Sequence, residues 1–244
     1  MEAIIGTAGW NIPARDAEHF PGEGTMLQRY AARFSGVEIN SSFHRPHRIV
    51  TWQRWAESVP ADFKFAAKIP KTITHLQKLV GCESLTAQFL SEVAGLGDKL
   101  AILLLQLPPK LAFDAALVEA FLGYLCPRLD ARVVCEPRHP SWFEAVPDSL
   151  LDRFQVARVA ADPACVPAAA TPGGWRGLTY FRLHGSPGMY RSSYDDGRLP
   201  IYAAAIESDR GAGVPVWCMF DNTASSAATG DALALAGQLW PQED

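Results

Sequence analysis

Three ionisable side chains stand together in the stretch Val133-Val134-Cys135-Glu136-Pro137-Arg138-His139-Pro140-Ser141-Trp142. Glu136 can take or hold a proton, Arg138 offers a fork of donors to an oxyanion, and His139 adds an imidazole. The apolar run before them reads as a buried strand. Pro137 and Pro140, which cannot donate to a sheet ladder, end it. The charged groups are thus delivered at the carboxyl end of a buried strand, where α/β folds place their chemistry. A second pair, Arg182 and His184, lies two residues apart in the run Leu178-Thr179-Tyr180-Phe181-Arg182-Leu183-His184-Gly185, so both point to one face. A guanidinium and an imidazole on one face suit an anionic ligand such as phosphate or carboxylate.

The elements that must position these groups repeat along the chain. Strand-like runs fall at residues 3–9, 36–40, 63–68, 100–106, 133–136, 156–161, 178–185 and 215–220. Helical spacing falls between most of them, at 26–34, 49–58, 84–96, 114–125 and 147–154, and a last helix runs to Leu239 from a cap at Ser225 or Ser226. No helix is assigned between the seventh and eighth strands, and residues 164–174 read as a long surface loop. Eight strands in 244 residues match the ~250 residues of a (β/α)8 TIM barrel. A doubly wound sheet would want a glycine-rich phosphate turn after the first strand, for which Gly6-Thr7-Ala8-Gly9 is too weak. The expectation is one TIM-barrel domain over residues 1–244.

On that frame the strand ends form a ring of polar groups: Asn40, Lys68, Gln106, Glu136 with Arg138 and His139, Asp162, Arg182 with His184, and Asp221 with Asn222. Glu38 alternates with Val37 and Ile39 and so points inward, where it needs a partner, most simply Lys68 or Arg182. A buried ion pair bracing the strands and a catalytic carboxylate are both open readings for it. Arg138 could brace a loop and His139 could pack a turn. The segment after Lys68, with Lys71, His75 and Lys78, is too long for a minimal turn and is a candidate functional loop. Gly185-Ser186-Pro187-Gly188 lies where many barrels bind phosphate through backbone N–H groups, and Tyr190 and Tyr194 could stack on a sugar or base.

Other classes fall away. Nicotinamide and P-loop fingerprints are missing, as is the G-x-S-x-G nucleophile elbow, and no H-x-H or H-E-x-x-H pair supplies local metal ligands. Neither a metal nor a cofactor is expected. A net charge of −4 gives no global pull toward nucleic acid or anionic membrane. Met1-Glu2-Ala3 leads into Ile4 without a basic leader, and no segment reaches the ~18 apolar residues of a membrane span. Cys82, Cys126, Cys135, Cys165 and Cys218 are scattered without a C-x-x-C pair, which points to reduced thiols in a cytoplasmic protein.

Six stretches in order resemble the YecE-like family of bacterial proteins, catalogued as domain of unknown function 72. They are Gly6 to Trp10, Val37 to Phe43, Lys68 with Thr72-Ile73-Thr74-His75, Gln106-Leu107-Pro108-Pro109, Glu136 to Trp142, and Arg182 to Gly185 through Tyr190 and Tyr194. The resemblance spans the whole chain and implies a TIM barrel, without supplying a reaction. It leads to the expectation of a tyrosine at position 44, where this chain has His44, so no role for a phenol carries over.

The expected function is an enzyme of the hydrolase or lyase type. Arg182, Arg138 and Lys68 hold a small anionic or phosphorylated ligand, Glu136 is the general acid or base, and His184 assists proton transfer, with Glu38 beside them. The alternatives are a nucleic-acid-binding protein using Arg45, Lys71, Lys78 and the tyrosines, and a ligand sensor without turnover.

Overall fold

A computed structural model describes residues 3–241; Met1, Glu2 and the last three residues, included in the expected 1–244 domain, lie outside the described residues. Parallel strands alternate with helices: β1 Ala3–Thr7, α1 Met26–Ala31, β2 Gly36–Ile39, α2 Ile49–Glu57, β3 Lys64–Lys68, α3 Glu83–Val93, β4 Leu100–Gln106, α4 Ala115–Leu125, β5 Arg132–Glu136 and α5 Ala145–Arg153. There follow β6 Val156–Arg158, β7 Ala160–Asp162, β8 Gly173–Gly174, β9 Thr179–Leu183, α6 Leu199–Gly211, β10 Val216–Phe220 and α7 Ala228–Leu239. Local chemistry sets several of these starts. Thr25 and Gln28 form a capping box at α1, and the Asp114 carboxylate accepts from the Leu117 N–H at the start of α4. No helix among the described residues is long and apolar enough to cross a membrane.

The fold is mixed α/β with two sheets. One has the order β1-β10-β9-β7, all parallel; the other runs β2-β3-β4-β5-β6-β8, parallel except for the antiparallel β6–β8 pair. The sheets meet twice. Ala8 and Glu38 form a parallel bridge, and the Gly9 N–H donates to the Glu38 carbonyl at 2.8 Å. At the other meeting, residues 156–162 are one run that changes partner at Val159, pairing first with β5 and then with β9.

Four expectations are corrected. The sixth strand is two short strands, because its first half pairs along one edge and its second half along the other. Residues 164–174 are not merely a surface loop: a 3-10 turn at Pro167–Ala170 and β8 are held against β6 by Arg158, which donates to the carbonyls of Ala168 (3.0 Å) and Thr171 (3.4 Å). Helix α6 lies where none was assigned. The cap of α7 is Ala227, without a side-chain bond, and Ser226 sits at φ +60° with its carbonyl accepting from Arg15.

Alternation along the strands separates two cores. Phe65, Leu103, Leu105, Cys135, Phe181 and Phe220 belong to the large cluster shared with the helices. Ala66, Ile102, Leu104, Val134, Tyr180, Trp217 and Met219 form a second cluster on the inner face. Continuing that alternation toward the carboxyl ends replaces apolar residues by Glu38, Lys68, Gln106, Glu136, Arg182 and Asp221. The inner face is therefore apolar at one end and ionic at the other.

Candidate functional site

Arg182, fully buried on β9, is the hub of the ionic layer. Its Nε–H donates to Glu38 Oε2 at 2.9 Å and its Nη2 to Glu38 Oε1 at 2.6 Å. Nη1 donates to Glu136 Oε2 at 3.0 Å, and Nη2 also lies 3.0 Å from Asp221 Oδ2. One guanidinium thus joins carboxylates from β2, β5 and the end of β10, and the Tyr180 hydroxyl adds a 2.8 Å bond to Glu38. Fork geometry suits this task, and a buried carboxylate left without such a partner would be costly.

His184 is held between two of the same carboxylates. Nδ1 is 3.0 Å from Asp221 Oδ2 and Nε2 is 3.0 Å from Glu136 Oε1, while Arg138 Nη2 lies 2.7 Å from Nε2 and pairs with Glu136. A proton on Nδ1 points to Asp221 and leaves Nε2 to accept from Arg138. The imidazole thus joins Asp221 and Glu136 in one hydrogen-bonded chain.

Above this layer opens a cleft of 670 Å³ lined by Asn40, Lys68, His75, Gln106, Arg138, Tyr190 and Asp221, with Phe43, His44, Leu107, Pro109, Cys165 and Met189. Lys68 is only 6% exposed, yet its ammonium makes no hydrogen bond or ion pair among the described residues and rests 4.2 Å from the centroid of the Phe43 ring. The Nε of Arg138 and the Oδ1 of Asn40 are likewise buried without a partner. Asn40 instead donates through Nδ2 to Asp221 Oδ1 at 3.2 Å, which ties the cleft wall to the ionic layer.

Burial and charge set the protonation of these groups. Burial pushes Lys68 down to about 8, assisted by Arg182 and opposed by Glu38, Asp221 and Glu136. Burial alone would raise the Glu136 carboxyl, but Arg138, Arg182 and His184 outweigh it and hold it well below the usual range. Asp221 is lowered in the same way, with burial opposed by Arg182 and by its bond to His184. Glu136 and Asp221 are thus anions at neutral pH, which disfavours Glu136 as a general acid. Lys68 is the cleft group brought near neutrality.

The family described as "Protein of unknown function DUF72" matches residues 4–244. The chain belongs to the DUF72 family. The Escherichia coli K12 protein "UPF0759 protein YecE" is 32% identical over 120 residues, which is 49% of this chain and 43% of that relative, so the match spans less than half of each. A DUF72 family protein from Enterococcus faecalis V583 superimposes with a TM-score of 0.82 at 18% identity, covering 100% of this chain and 97% of that one. One from Thermotoga maritima gives 0.78 at 22% identity, covering 98% and 99%. At those identities the likeness concerns the fold.

In this DUF72 chain five of the six stretches that carried the resemblance meet at the cleft and the layer beneath it, while Thr7, Ala8 and Gly9 of the first lie against Ala228 and Thr229 of α7. Of the expected site residues, Asn40, Lys68, His75, Gln106, Arg138, Tyr190 and Asp221 line the cleft. Glu38, Glu136, Arg182 and His184 lie below its floor, fully buried, so Arg182 acts on carboxylates of the protein instead of holding a ligand. The remaining four lie off the cleft. His139 turns back on its own loop, where Nδ1 accepts from the Ser141 N–H at 3.2 Å. Asp162 accepts from the Tyr194 hydroxyl (2.7 Å) and pairs with Arg198 (2.8 Å). Asn222 donates to Asp231 at 2.6 Å and to the Ser192 carbonyl at 2.8 Å. The turn after β9 also spends its donors internally: Gly185 N–H on the Tyr194 hydroxyl and Gly188 N–H on Ser192, which leaves neither for a phosphate. Sequence reasoning missed Cys165 and Met189 as cleft residues. Cys165 sits in an alanine-rich segment with no pattern to single it out.

Proposed function

We propose that this protein is an enzyme of the hydrolase or lyase type that takes a small anionic or phosphorylated molecule into the cleft at the carboxyl ends of its strands. The observation that carries the reading is Lys68, a buried ammonium on the cleft wall with no counter-charge bonded to it among the described residues. Such a group favours the arrival of an anion. Arg138 Nε and Asn40 Oδ1 offer that anion a further donor, and a ligand hydroxyl an acceptor. Asp221, which lines the cleft and bonds His184, links the ligand to the hydrogen-bonded chain below. Glu136 orients and stays ionised, while Lys68 is the group able to exchange a proton with the ligand.

The reading includes a single closed (β/α)8 barrel. The Ala8–Glu38 bridge and the segment 156–162, whose first half pairs with β5 and second half with β9, support closure at the two places where the sheets meet. Five unpaired cysteines suit a cytoplasmic, reducing setting.

The test is a thermal-shift screen of carboxylates, phosphates and short oligonucleotides against wild type, Lys68→Met and Arg138→Gln. A ligand at a hundred times its Kd adds ~2.7 kcal/mol, and the rise in midpoint is expected for a small anion and lost in both variants. If no small anion raises the midpoint the reading fails. A rise with oligonucleotides alone, falling steeply with salt, would move the assignment to nucleic acid, with exposed Arg45 and Lys71 in the adjoining groove.

A further inference from the structure

A buried amine without a partner can lower its free energy in two ways: by recruiting an anion or by giving up its proton. Lys68 is placed for both. It stands at the end of β3 and is faced by Arg182 from β9, Glu38 from β2, Glu136 from β5, Asp221 after β10 and His75 from the turn at Thr72–Leu76. With its pKa at about 8, on the order of a tenth of the amine is neutral at pH 7. A desolvated lysine of this kind is an activated nucleophile toward carbonyl carbon.

We propose that Lys68 is a catalytic nucleophile that forms an imine with a small 2-oxo acid bound in the cleft. The geometry pairs a side chain on a rigid strand end, open to the cleft and fixed against the Phe43 ring, with partnerless Arg138 Nε and Asn40 Oδ1 on the same walls. The carboxylate of the acid goes to Arg138 and its carbonyl to Lys68. In the step, the nitrogen lone pair forms a bond to the carbonyl carbon and the π pair moves to oxygen, which takes a proton as nitrogen loses one. The hydroxyl then takes the proton that Asp221 had removed from the Lys68 ammonium and leaves as water while the nitrogen lone pair closes the C=N bond, which gives a protonated imine. The net change is loss of one water, with no oxidant or reductant. Asp221, which lines the cleft and is backed by His184, is the base for this proton traffic.

The inference rests on the anion reading of the cleft, and the experiment separates the two. The full chain is incubated with glyoxylate, pyruvate, 2-oxobutyrate or 2-oxoglutarate, reduced with borohydride, and mapped by peptide mass spectrometry; binding of lactate and pyruvate is followed by calorimetry. The expected result is a reduced adduct on the peptide bearing Lys68, formed faster as pH rises toward 8 and missing in Lys68→Arg. Mapping the wild type places the adduct even if a variant folds poorly. Binding without any Lys68 adduct overturns the imine and leaves the anion site standing. Neither binding nor adduct overturns both, and an adduct spread over surface lysines alone overturns the imine.

Discussion

Arg182 and Lys68 show how two cations on neighbouring parts of one inner face come to opposite fates. Arg182 is saturated by Glu38, Glu136 and Asp221, and its burial is offset by those bonds. Lys68 has no such partner among the described residues and bears the cost of desolvation. In the unfolded chain its amine titrates at 10.5 and in the fold at about 8. Below pH 8 both states carry the proton, and the fold holds a poorly solvated charge. Between 8 and 10.5 the unfolded chain binds more protons, so stability rises with pH, by about 3 kcal/mol across the window. Lys68→Met should therefore be more stable than wild type at pH 7, with the difference shrinking by pH 10. Urea melts at several pH values check this, and a difference independent of pH would contradict the buried-amine account. The inward turn of Glu38 and the common face of Arg182 and His184 were legible from alternation. Which partner each would take was not, because Glu38 could reach either Lys68 or Arg182 until the strands were placed.

At the scale of elements, the meeting of β1 and β2 depends on two glycines. A β-carbon at Gly6 would collide with the Gly36 carbonyl oxygen and sit 3.1 Å from the Tyr30 hydroxyl. Gly6→Val should cost about 2 kcal/mol or more by overpacking. Gly237→Ala, exposed on α7 with open space around it, should stabilise by up to ~1 kcal/mol through helix propensity. Denaturant midpoints of the two variants should move in opposite directions, and an unchanged Gly6→Val would argue against close approach there. Strand positions were readable because apolar runs are short and bounded by breakers. Helix α6 was not, since only Leu199 and Ile206 of its thirteen residues are fully buried and Pro200 obscures the start. Proline is tolerated in a first helical turn, so the breaker there marked a beginning.

At the scale of the molecule, the two sheets share residues 156–162 and the Ala8–Glu38 bridge, and the ionic layer draws on both: Glu38 and Glu136 from one, Arg182 from the other. On the barrel reading they unfold together, so tryptophan fluorescence and far-ultraviolet circular dichroism should give one coincident urea transition. Two separated transitions would mean that the sheets are independent units. The sequence alone determined the alternation of strands and helices, the placement of polar groups at strand ends and the family resemblance, since each depends on local periodicity and on short motifs. Only the tertiary structure decided that Arg182 is a keystone beneath the cleft, that His139, Asp162, Tyr194 and Asn222 make their hydrogen bonds away from it, and that Lys68 is left without a counter-ion among the described residues. Those outcomes depend on distances between strands far apart in the chain, which fix the partners available to each buried charge.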